Sequence, residues 1–483
     1  MRKAHLLFLI ILIEGYVVLA CELLAIRQLI PFVGSGTEVI AIIISGVLLP
    51  LAVGYHFGGL SFKRAYARAK AAGHKRLPIR RILLKNITAA LIFLSFGMSY
   101  LFLELFFGWL HKLGLDNRLL QTAVFTVLFL VIPVFKLGQT VPLTSNYFSR
   151  RQLSEITGKM LFFSTVGSFL GSVFSTIILM TTIGVHNTVI VTLGLLGFLA
   201  IMLNGRRLRP EVFICFMMLG VVYTTNSNTI MHAVNVVSDN SYNLIRLVPV
   251  ANEDSTILSI NRSASSKMAA DPDKRFDYVK YIEKTFLDPI QAPESPPRDI
   301  LIIGAGGFTT GLNDTHNRYT FIDIDRTLKD VSEQYFLKQK LGPNKLFIPD
   351  SAREFVHSTK AKYDLIIVDT FTNVYSIPLE CTTREFLLDT KARLKPNGII
   401  IVNVISTPTF TDKFTVRYNH TFASVFPTYT RQIIGDFNPW DSGKTDVLPT
   451  DNRNLLYIYF NNRLAEDNVV YTDDKNTYSM DRE

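Results

Sequence analysis

A glycine-rich run and two acidic residues in the second half of the chain have the spacing of a nucleoside-binding site. The run ILIIGAGGFTTG occupies residues 300–311, and the next apolar run, FIDID, contains Asp323. A further apolar run, YDLIIVDTF, contains Asp369. Because glycine has no Cβ, Gly304 and Gly306 allow a ligand to approach the backbone closely. Asp323, at the end of the following strand, can accept both ribose hydroxyls of a nucleoside.

Two acids further along the chain are placed for chemistry at strand ends. Asp369 ends a buried apolar strand, which is where open α/β sheets hold their reactive groups, so it can orient or deprotonate a nucleophile. Asp350 and Ser351 end one strand and begin a helix, and Asp350 can hold the exocyclic amine of an adenine. Each acid also has a structural alternative, because a carboxylate at a strand end can cap the helix or turn that follows.

Alternating strands and helices must position these residues. From residue 300 onward the repeated pattern is strand, helix, strand, which predicts a mainly parallel sheet covered on both faces. Before this sheet, Tyr242–Val250 and Thr256–Asn261 predict a β-hairpin, and Lys274–Phe286 predicts a helix. The predicted strands are 300–304, 319–324, 345–348, 364–369, 398–404 and 455–460, and the predicted helices are 327–340, 351–359, 382–395 and 411–425.

The first half of the chain has a different composition. Residues 1–235 contain 21 Lys and Arg against 7 Asp and Glu, whereas residues 236–483 contain 29 against 33. The basic half also carries the long apolar runs, so its charge indicates membrane orientation and argues against nucleic-acid binding. We therefore expect a multi-pass transmembrane domain of six to seven helices at 1–235 and a soluble domain at 236–483. The apolar runs are 5–33, 38–60, 83–110, 119–135, 160–182, 187–204 and 212–225.

Basic residues between the apolar runs set the predicted orientation in the cell (inner) membrane. The connection at residues 61–82 contains eight Lys and Arg and no acid. Because cytoplasmic loops are rich in these residues, this loop and the N-terminus are expected in the cytoplasm. The last run, Val212–Thr225, has only 14 residues and decides the side of the soluble domain. If this run crosses the bilayer, the domain lies outside the cytoplasm; if it only dips into the bilayer, the domain lies inside.

Ionisable residues interrupt the apolar runs at Glu14, Glu22, Arg27 and Glu104. Charges at that depth are costly, so they indicate a functional site or pathway, or else paired or snorkelling structural charges. Glu22 and Arg27 are about 140° apart around a helix, so they do not neutralise each other across one turn. We expect their partners on other helices.

The sequence indicates neither a metal centre nor a disulfide framework. His316, His357 and His420 are not spaced with Cys or Asp as metal ligands are. Of the three cysteines, only Cys381 lies in the soluble half, and the other two lie in apolar runs. A single cysteine in that half implies no set of disulfides.

Taken in order, the motifs resemble the spermidine synthase group of polyamine aminopropyltransferases. The motifs are IIGAGGFTTG, FIDID, PDSAREF, YDLIIVDTF and SIPLECTTREFL, and the resemblance covers about residues 240–465. It implies a C-terminal α/β, Rossmann-like methyltransferase/spermidine synthase domain with an N-terminal β-hairpin. The early segment EGYVVLACELLAIRQLIPFVGSG is similar to the leading membrane segment of bacterial proteins that fuse a multi-pass region to such a domain.

This resemblance implies a membrane-bound enzyme of polyamine biosynthesis. Its co-substrate is decarboxylated S-adenosylmethionine, whose aminopropyl group passes to an amine with release of methylthioadenosine. No cofactor is bound permanently, and a homodimer is implied. The resemblance makes Asp369 the catalytic acid. It also implies nucleoside-binding roles for Asn243, Gly304, Gly306, Asp323, Asp350 and Ser351, and amine-binding roles for Tyr278 and Thr372.

Several positions depart from the family pattern. The aspartate that ends the family's glycine loop is Gly307 here, and the second aspartate of its catalytic loop is Thr372. The family's histidine beside the tyrosine is Val279, and its glutamine at the nucleoside is Asn243. A diamine dication needs carboxylates nearby, because burying an unpaired charge is costly. The expected acceptor is therefore an amine other than putrescine, or one that is less charged.

Three functions are open on the sequence. The first is a membrane-bound aminopropyltransferase. The second is a methyltransferase that uses intact S-adenosylmethionine in the same cradle and acts on a lipid or small amine. The third is a sensor or transporter that binds a nucleoside or polyamine without turnover. Asp369→Asn separates catalysis from binding, because under either enzymatic hypothesis it should abolish turnover and spare nucleoside binding.

Overall fold

The computed structural model describes residues 2–71, 79–146, 153–204, 209–251, 253–269, 271, 274–292, 294–373, 376–435 and 451–462. The chain forms two compact units. The first comprises Met1–Leu247, Ser259–Ser263 and Thr372–Ser376, and the second comprises Val248–Leu258, Ala264–Phe371 and Ile377–Glu483. The long apolar helices belong to the first unit, and the large α/β sheet belongs to the second.

Apolar helices make up most of the first unit. Among the described residues, five helical stretches are long and apolar enough to cross a membrane, namely His5–Val33, Thr37–Leu60, Arg118–Ser145, Ser154–Thr182 and Gly184–Leu203. The helices are α1 (Arg2–Val33), α2 (Thr37–Ala71), α3 (Ile79–Gly97), α4 (Tyr100–Lys112), α5 (Arg118–Thr126), α6 (Ile132–Gly138), α7 (Thr140–Ser145), α8 (Leu153–Val173), α9 (Met180–Thr182), α10 (Gly184–Leu203), α11 (Pro210–Asn226) and α12 (Asn228–Ala233). Short π-helical turns, Val127–Val131 and Phe174–Leu179, join α5 to α6 and α8 to α9.

The apolar run at 83–110 is not one straight helix. It forms α3 and α4, which are bent relative to each other by 68° and count as one span only if taken together. Ser99 ends the continuity, because its side chain accepts a hydrogen bond from the backbone N–H of Phe102 and so caps α4. The sequence did not indicate this bend. A lone serine within an apolar run is a weak signal.

The short run Val212–Thr225 lies within α11, which has 17 residues. A helix of that length extends about 25 Å, somewhat less than the roughly 30 Å of a bilayer's hydrocarbon core. Whether this helix crosses the bilayer therefore stays a prediction to be tested.

Glycines allow α1 and α8 to pack with their backbones in contact. A Cβ on Gly167 would lie 2.0 Å from the carbonyl oxygen of Leu12, and a Cβ on Gly171 would lie 2.2 Å from that of Tyr16. The two glycines are four residues apart, the spacing that brings helix backbones together in lipid. Any larger residue at either position would push the helices apart.

Two of the charges in the apolar runs have partners in the strands that follow the helices or in a turn between those strands. Arg27 Nη2 lies 3.5 Å from Asp239 Oδ1, and Asp239 is in the first strand after the helices. Glu104 forms ion pairs with Arg246, at 3.3 Å, and with Arg262. The expectation that the partners of Arg27 lie on other helices is therefore wrong. Both charged side chains pair with residues of a small sheet and its turns.

The two remaining acids, Glu14 and Glu22, are buried in α1. Their exposed fractions are 2% and 6%. Within the described part of the chain, one carboxylate oxygen of each has no hydrogen-bond partner. These two residues thus keep the character of costly intramembrane groups that the sequence indicated.

A small antiparallel sheet follows α12, with the strand order β1-β2-β3-β4. Its strands are β1 (Val236–Asp239), β2 (Leu244–Pro249), β3 (Ser255–Ile260) and β4 (Ser263–Ala269). The predicted hairpin corresponds to β2 and β3 and is confirmed as the centre of this sheet. The outer strands were not predicted, because β1 has only four residues and β4 is rich in serine.

A seven-stranded sheet forms the centre of the second unit, in the order β10-β11-β9-β8-β5-β6-β7. Its strands are β5 (Asp299–Ile303), β6 (Arg318–Asp323), β7 (Lys345–Pro349), β8 (Tyr363–Val368), β9 (Leu394–Ser406), β10 (Tyr429–Ile434) and β11 (Arg453–Phe460). Strands β5 to β9 run parallel, and β11 is antiparallel to both of its neighbours. The predicted mainly parallel sheet is confirmed. The strand order reverses between β5 and β8, which is where such sheets bind ligands.

The helices of the second unit are those that the sequence predicts, but they are shorter. They are α13 (Asp277–Ile282), α14 (Leu328–Val331), α15 (Ala352–Ser358), α16 (Arg384–Lys391) and α17 (Lys413–Ala423). The helix predicted to begin at Lys274 begins at Asp277 and continues as a π-helical turn, Glu283–Leu287. Likewise, α14 continues as the π-helical turn Ser332–Phe336.

Candidate active site

The glycine turn after β5 lies directly against the end of β8. The backbone N–H of Gly304 donates to the carbonyl of Ile322 in β6, and that of Asp369 donates to the carbonyl of Ile303 in β5. Gly304 has a φ of +93°, and a Cβ there would lie 2.1 Å from the carbonyl oxygen of Asp369. Only glycine fits this position. The turn and the end of β8 are therefore held together where the strand order reverses.

Asp323, at the end of β6, is fixed to the glycine turn. Its Oδ2 accepts a hydrogen bond from the backbone N–H of Ala305 at 3.2 Å, and its Oδ1 accepts one from Asp325 at 3.0 Å. Burial raises the pKa of Asp323 to about 6, despite these hydrogen bonds. The carboxylate stands beside the turn that the sequence predicts as the nucleoside cradle.

Asp350 and Ser351 lie at the end of the neighbouring strand, β7. The backbone N–H of Asp350 donates to the carbonyl of Asp323, and Asp350 Oδ1 accepts from the N–H of Ser351 at 2.8 Å. Ser351 is the residue in the N-cap position of α15. The alternative that Asp350 itself caps this helix is therefore wrong. Its side chain is partly exposed at the carboxyl edge of the sheet.

Asp369 receives a hydrogen bond on each carboxylate oxygen. The hydroxyl of Tyr278, on α13, donates to Oδ2 at 2.9 Å, and the amide of Asn403, on β9, donates to Oδ1 at 2.9 Å. Burial raises the pKa of Asp369, and these two hydrogen bonds oppose the rise. Among the described residues the next helical element begins only at Leu379, so Asp369 does not cap a helix. A carboxylate with a raised pKa is a more effective proton acceptor near neutral pH.

Tyr278 acts on this carboxylate as a donor. Burial, together with the negative charge and hydrogen bond of Asp369, raises the pKa of its hydroxyl well above the usual value. The hydroxyl therefore keeps its proton at neutral pH. The base of this pair is Asp369.

The third glycine of the turn, Gly307, has no room for a side chain. A Cβ there would lie 2.4 Å from Cε1 of Phe336 and 2.9 Å from the Cβ of Ser266. Ser266, on β4, also accepts a hydrogen bond from the N–H of Gly307 at 2.8 Å. A Cβ on Gly306 would lie 2.9 Å from the same hydroxyl. The position where the sequence lacks an aspartate is thus filled by a buried ring and a serine.

Sequence reasoning missed three residues of this site. They are Asn403, Ser266 and Phe336. The signal for Asn403 was present, since it is the single polar residue in the run IIIVNVI. No local signal pointed to Ser266 or Phe336, because their roles depend on contacts far apart in the sequence.

Two of the nine predicted site residues fall in the first unit. Asn243 accepts a hydrogen bond from the side chain of Asn261 at 3.0 Å. Thr372 donates its hydroxyl to the carbonyl of Ser376 at 3.0 Å, and Ser35 Oγ lies 3.5 Å from it. The other seven lie in the second unit, around the carboxyl ends of β5 to β8. Among the described residues, no group of three or more His, Cys, Asp or Glu side chains is placed to hold a metal ion.

The sheet order and the glycine turn define a Rossmann-like domain of the class that methyltransferases and spermidine synthases share. Residues 288–434 match the family model of the spermine/spermidine synthase domain. The C-terminal half of the chain carries this domain. The resemblance and the fold class inferred from the motifs are thereby confirmed, and the apolar helices of the first unit indicate a membrane segment before it.

Individual relatives match part of the chain. A polyamine aminopropyltransferase from Vibrio vulnificus is 29% identical over 163 residues, which are 32% of this chain and 53% of that protein. An N-terminal histidine N-methyltransferase from Emericella nidulans is 32% identical over 136 residues, 26% of this chain and 23% of that protein. The crystal structure of a probable spermidine synthase from Corynebacterium glutamicum has 21% identity and a TM-score of 0.37, covering 50% of this chain and 82% of that one. The chain spans about half the length, or less, of the curated relatives it matches.

Proposed function

We propose that this protein is a membrane-bound aminopropyltransferase. It moves the aminopropyl group of decarboxylated S-adenosylmethionine to an amine and releases methylthioadenosine. The observation that carries the proposal is the Tyr278–Asp369 hydrogen bond, beside the glycine turn and at the reversal of strand order. The match of residues 288–434 to the spermine/spermidine synthase domain supports it.

The reaction needs a positioned amine and a base. The nitrogen lone pair of the acceptor attacks the carbon next to the sulfonium, the carbon–sulfur bond breaks, and its electron pair stays on sulfur as a thioether. The amine loses one proton to Asp369, whose pKa is raised by burial. Tyr278 keeps the carboxylate oriented. The protein thus supplies positioning and proton transfer.

The nucleoside part of the donor occupies the turn and the ends of β6 and β7. In this proposal Asp323 accepts the ribose hydroxyls, and Asp350 with Ser351 holds the adenine. Gly304 and Gly306 let the donor approach the backbone. The partly exposed carboxylates at these strand ends support these roles. The resemblance alone supports a nucleoside-binding role for Asn243.

In this proposal Tyr278 seats the acceptor amine, and the resemblance alone supports the same role for Thr372. Gly307 carries no carboxylate, and Thr372 offers a hydroxyl in place of one. A pocket with a single catalytic carboxylate favours an acceptor that carries one positive charge or none near the site, because each buried cation needs an anionic partner. The acceptor we propose is therefore an amine less charged than putrescine.

One observation favours a second candidate function. Phe336 and Ser266 occupy the place of the acid that would match a cationic donor tail. Intact S-adenosylmethionine has a carboxylate as well as an ammonium on its tail, so it needs that acid less. A methyltransferase that acts on a lipid or a small amine is therefore the alternative. The relative named as an N-methyltransferase supports keeping it.

The membrane part is proposed to lie in the cell membrane with its N-terminus in the cytoplasm. The eight basic residues and the absence of acids at 61–82 support this orientation. The domain border is proposed at 235/236, and the active form is proposed to be a homodimer. If the 17-residue α11 dips into the bilayer without crossing, the sheet domain is cytoplasmic. A phosphatase fused after Glu483 would be active only if the sheet domain lies outside the cytoplasm. A fluorescent protein fused there would fluoresce only if the domain lies in the cytoplasm.

The test is release of methylthioadenosine by the detergent-purified full chain. Decarboxylated S-adenosylmethionine is supplied with a panel of mono-, di- and polyamines, and intact S-adenosylmethionine is supplied in parallel. Asp369→Asn should lower turnover about 10²- to 10⁴-fold, the contribution of a positioned general base, while methylthioadenosine binding is retained. Asp330→Asn, which changes an exposed acid on α14, is the matched control and should leave turnover unchanged.

Each outcome distinguishes the candidates. Release that depends on one amine and on Asp369 supports the transferase and names its acceptor. Methyl transfer from intact S-adenosylmethionine supports the alternative. Nucleoside binding without turnover with either donor would contradict both and would favour a sensor or transporter, for which the buried Glu14 and Glu22 are the candidate cation-handling groups.

A further inference from the structure

Asn403 is the single polar residue in an apolar run of β9. It lies in β9 within the run IIIVNVI, and its exposed fraction is 3%. On either side of it, Val402 and Val404 are buried as well. A polar amide in such a strand is destabilising unless its groups are paired. We therefore expect the amide of Asn403 to have a specific hydrogen-bond partner.

The partner is Asp369, and only one half of the amide is used. Asn403 Nδ2 donates to Asp369 Oδ1 at 2.9 Å. The orientation of the amide is determined, because a carboxylate only accepts and so must face the NH₂ group. The other end, Oδ1 of Asn403, is buried and has no hydrogen-bond partner among the described residues. An isosteric leucine would avoid that unpaired oxygen, so packing alone does not explain an asparagine here.

Asn403 and Tyr278 approach the carboxylate from two different elements. Tyr278 donates to Oδ2 from α13, and Asn403 donates to Oδ1 from β9. Two donors on two oxygens fix the plane of the carboxylate, as one donor alone does not. Both donors also favour the ionised form over the protonated form. Burial raises the pKa of Asp369, and the hydrogen bonds from Asn403 and Tyr278 oppose that rise.

We propose that Asn403 is a positioning residue for the reaction, holding Asp369 in the orientation and the ionised state in which it accepts the proton of the acceptor amine. This inference rests on the proposed function, in which Asp369 is the base. It predicts that the amide is retained for activity at the expense of stability.

The test replaces Asn403 in the full-length, detergent-purified protein. Asn403→Leu approximately keeps the side-chain volume and removes the donor. Asn403→Ala also removes the donor, with a smaller side chain, in case the leucine variant does not fold. Ser406→Ala is the matched control, because Ser406 lies on the same strand and its buried hydroxyl also has no partner among the described residues. Turnover with the acceptor that the amine panel identifies, KM for the donor, and thermal unfolding are measured across pH.

The expected result separates positioning from structure. For Asn403→Leu, kcat falls by about 10²-fold, the cost of a misplaced catalytic group, while KM for the donor stays the same. The acidic limb of the kcat profile moves to higher pH, because Asp369 loses a hydrogen bond that favours its ionised form. The thermal unfolding temperature does not fall. Ser406→Ala changes none of these quantities.

An unchanged kcat and pH profile in Asn403→Leu would overturn the inference, and so would equal losses in Asn403→Leu and Ser406→Ala. A second readout does not depend on turnover. The protonated carboxyl band of Asp369, identified by its absence in Asp369→Asn, is followed by pH-titrated infrared difference spectroscopy. If the wild type has no turnover, the proposed function fails, yet a titration midpoint that rises in Asn403→Leu would still support the contact. An unchanged midpoint would refute it.

Discussion

A Cβ on Gly307 would lie 2.4 Å from Cε1 of Phe336, and Phe336 is a buried ring at the end of the π-helical turn after α14. The ring of Phe336 therefore occupies the space that a side chain at position 307 would need. An acid at this position cannot enter unless the ring moves. The packing around Gly307 therefore has no room for the carboxylate that the glycine loop lacks. Under the proposed function, Asp369 is then the acid that accepts the proton of the acceptor amine.

Gly307→Ala should destabilise the protein, because its methyl group collides with Phe336. Overpacking of this kind costs about 1–3 kcal/mol in the free energy of unfolding. In a Phe336→Leu background the same substitution should cost less, since leucine leaves space beside the turn. The coupling between the two sites, about 0.5–3 kcal/mol for contacting residues, is measured by a double-mutant cycle on unfolding. Strictly additive effects would show that the two side chains do not compete for space.

Tyr278→Phe removes one of the two hydrogen bonds to Asp369. The pKa of Asp369 is already raised by burial, and loss of a hydrogen bond that opposes this rise should raise it further. Asp369 must be ionised to accept a proton, so activity disappears as the pH falls through its pKa. The acidic limb of the kcat profile should therefore move to higher pH.

The expected decrease in kcat for Tyr278→Phe follows from the energy of the lost hydrogen bond. A hydrogen bond to a charged group contributes about 1.5–3 kcal/mol, so kcat should fall roughly 10- to 100-fold at neutral pH. Tyr281→Phe is the control, because Tyr281 is on the same helix and stacks edge-on with Phe286. Equal profiles for the two variants would argue against a role for the Tyr278 hydroxyl.

Nucleoside binding should depend on the ionisation of Asp323. Its pKa is raised by burial to about 6. Only the carboxylate can accept both ribose hydroxyls, so the bound nucleoside favours the ionised form. Affinity for methylthioadenosine is then full above a pH of about 6 and falls as the pH drops below it. The loss is about tenfold per pH unit while one proton must be released on binding.

Calorimetry in the Asp369→Asn background isolates this effect, because it removes the second titrating acid of the site. Asp323→Asn in that background should bind weakly at every pH and should show no change near pH 6. If the affinity of the Asp369→Asn protein for methylthioadenosine stays constant as the pH falls through about 6, Asp323 is excluded as a ligand of the ribose.

Much of the site could be predicted because its signals are local. A strand, a glycine turn and an acid at the next strand end occur in sequence order, so the proximity of Gly304, Asp323 and Asp369 could be predicted without knowledge of the fold. Phe336 and Ser266 could not be predicted, because each is part of the site only through its contact with Gly307, which is distant in sequence. The edge strand β10 was missed for a related reason. Its pairing with β11 is non-local, and half-exposed edge residues give no apolar run.

The membrane part shows the same limit. Its apolar runs were visible, but the partner of Arg27 was expected on another helix and lies in β1. No partner was predicted for Glu104, which pairs with Arg246 in β2 and Arg262 in the turn before β4. Hydropathy identifies which segments are buried in lipid and contains no information on what a charged side chain meets there. Such pairs depend on the tertiary structure alone.

Two glycine-to-alanine substitutions in α8 should affect the stability of the protein differently. Gly167→Ala places a methyl group 2.0 Å from the carbonyl oxygen of Leu12, so α1 and α8 must separate and the thermal unfolding temperature should fall. Gly158→Ala, on the same helix, meets no atom within 4 Å. It should be neutral or should stabilise by up to about 1 kcal/mol, because alanine favours helix more than glycine does. Unfolding of both variants in detergent is followed by helical circular dichroism. Equal stability of the two would show that close contact between α1 and α8 is not what holds these helices together.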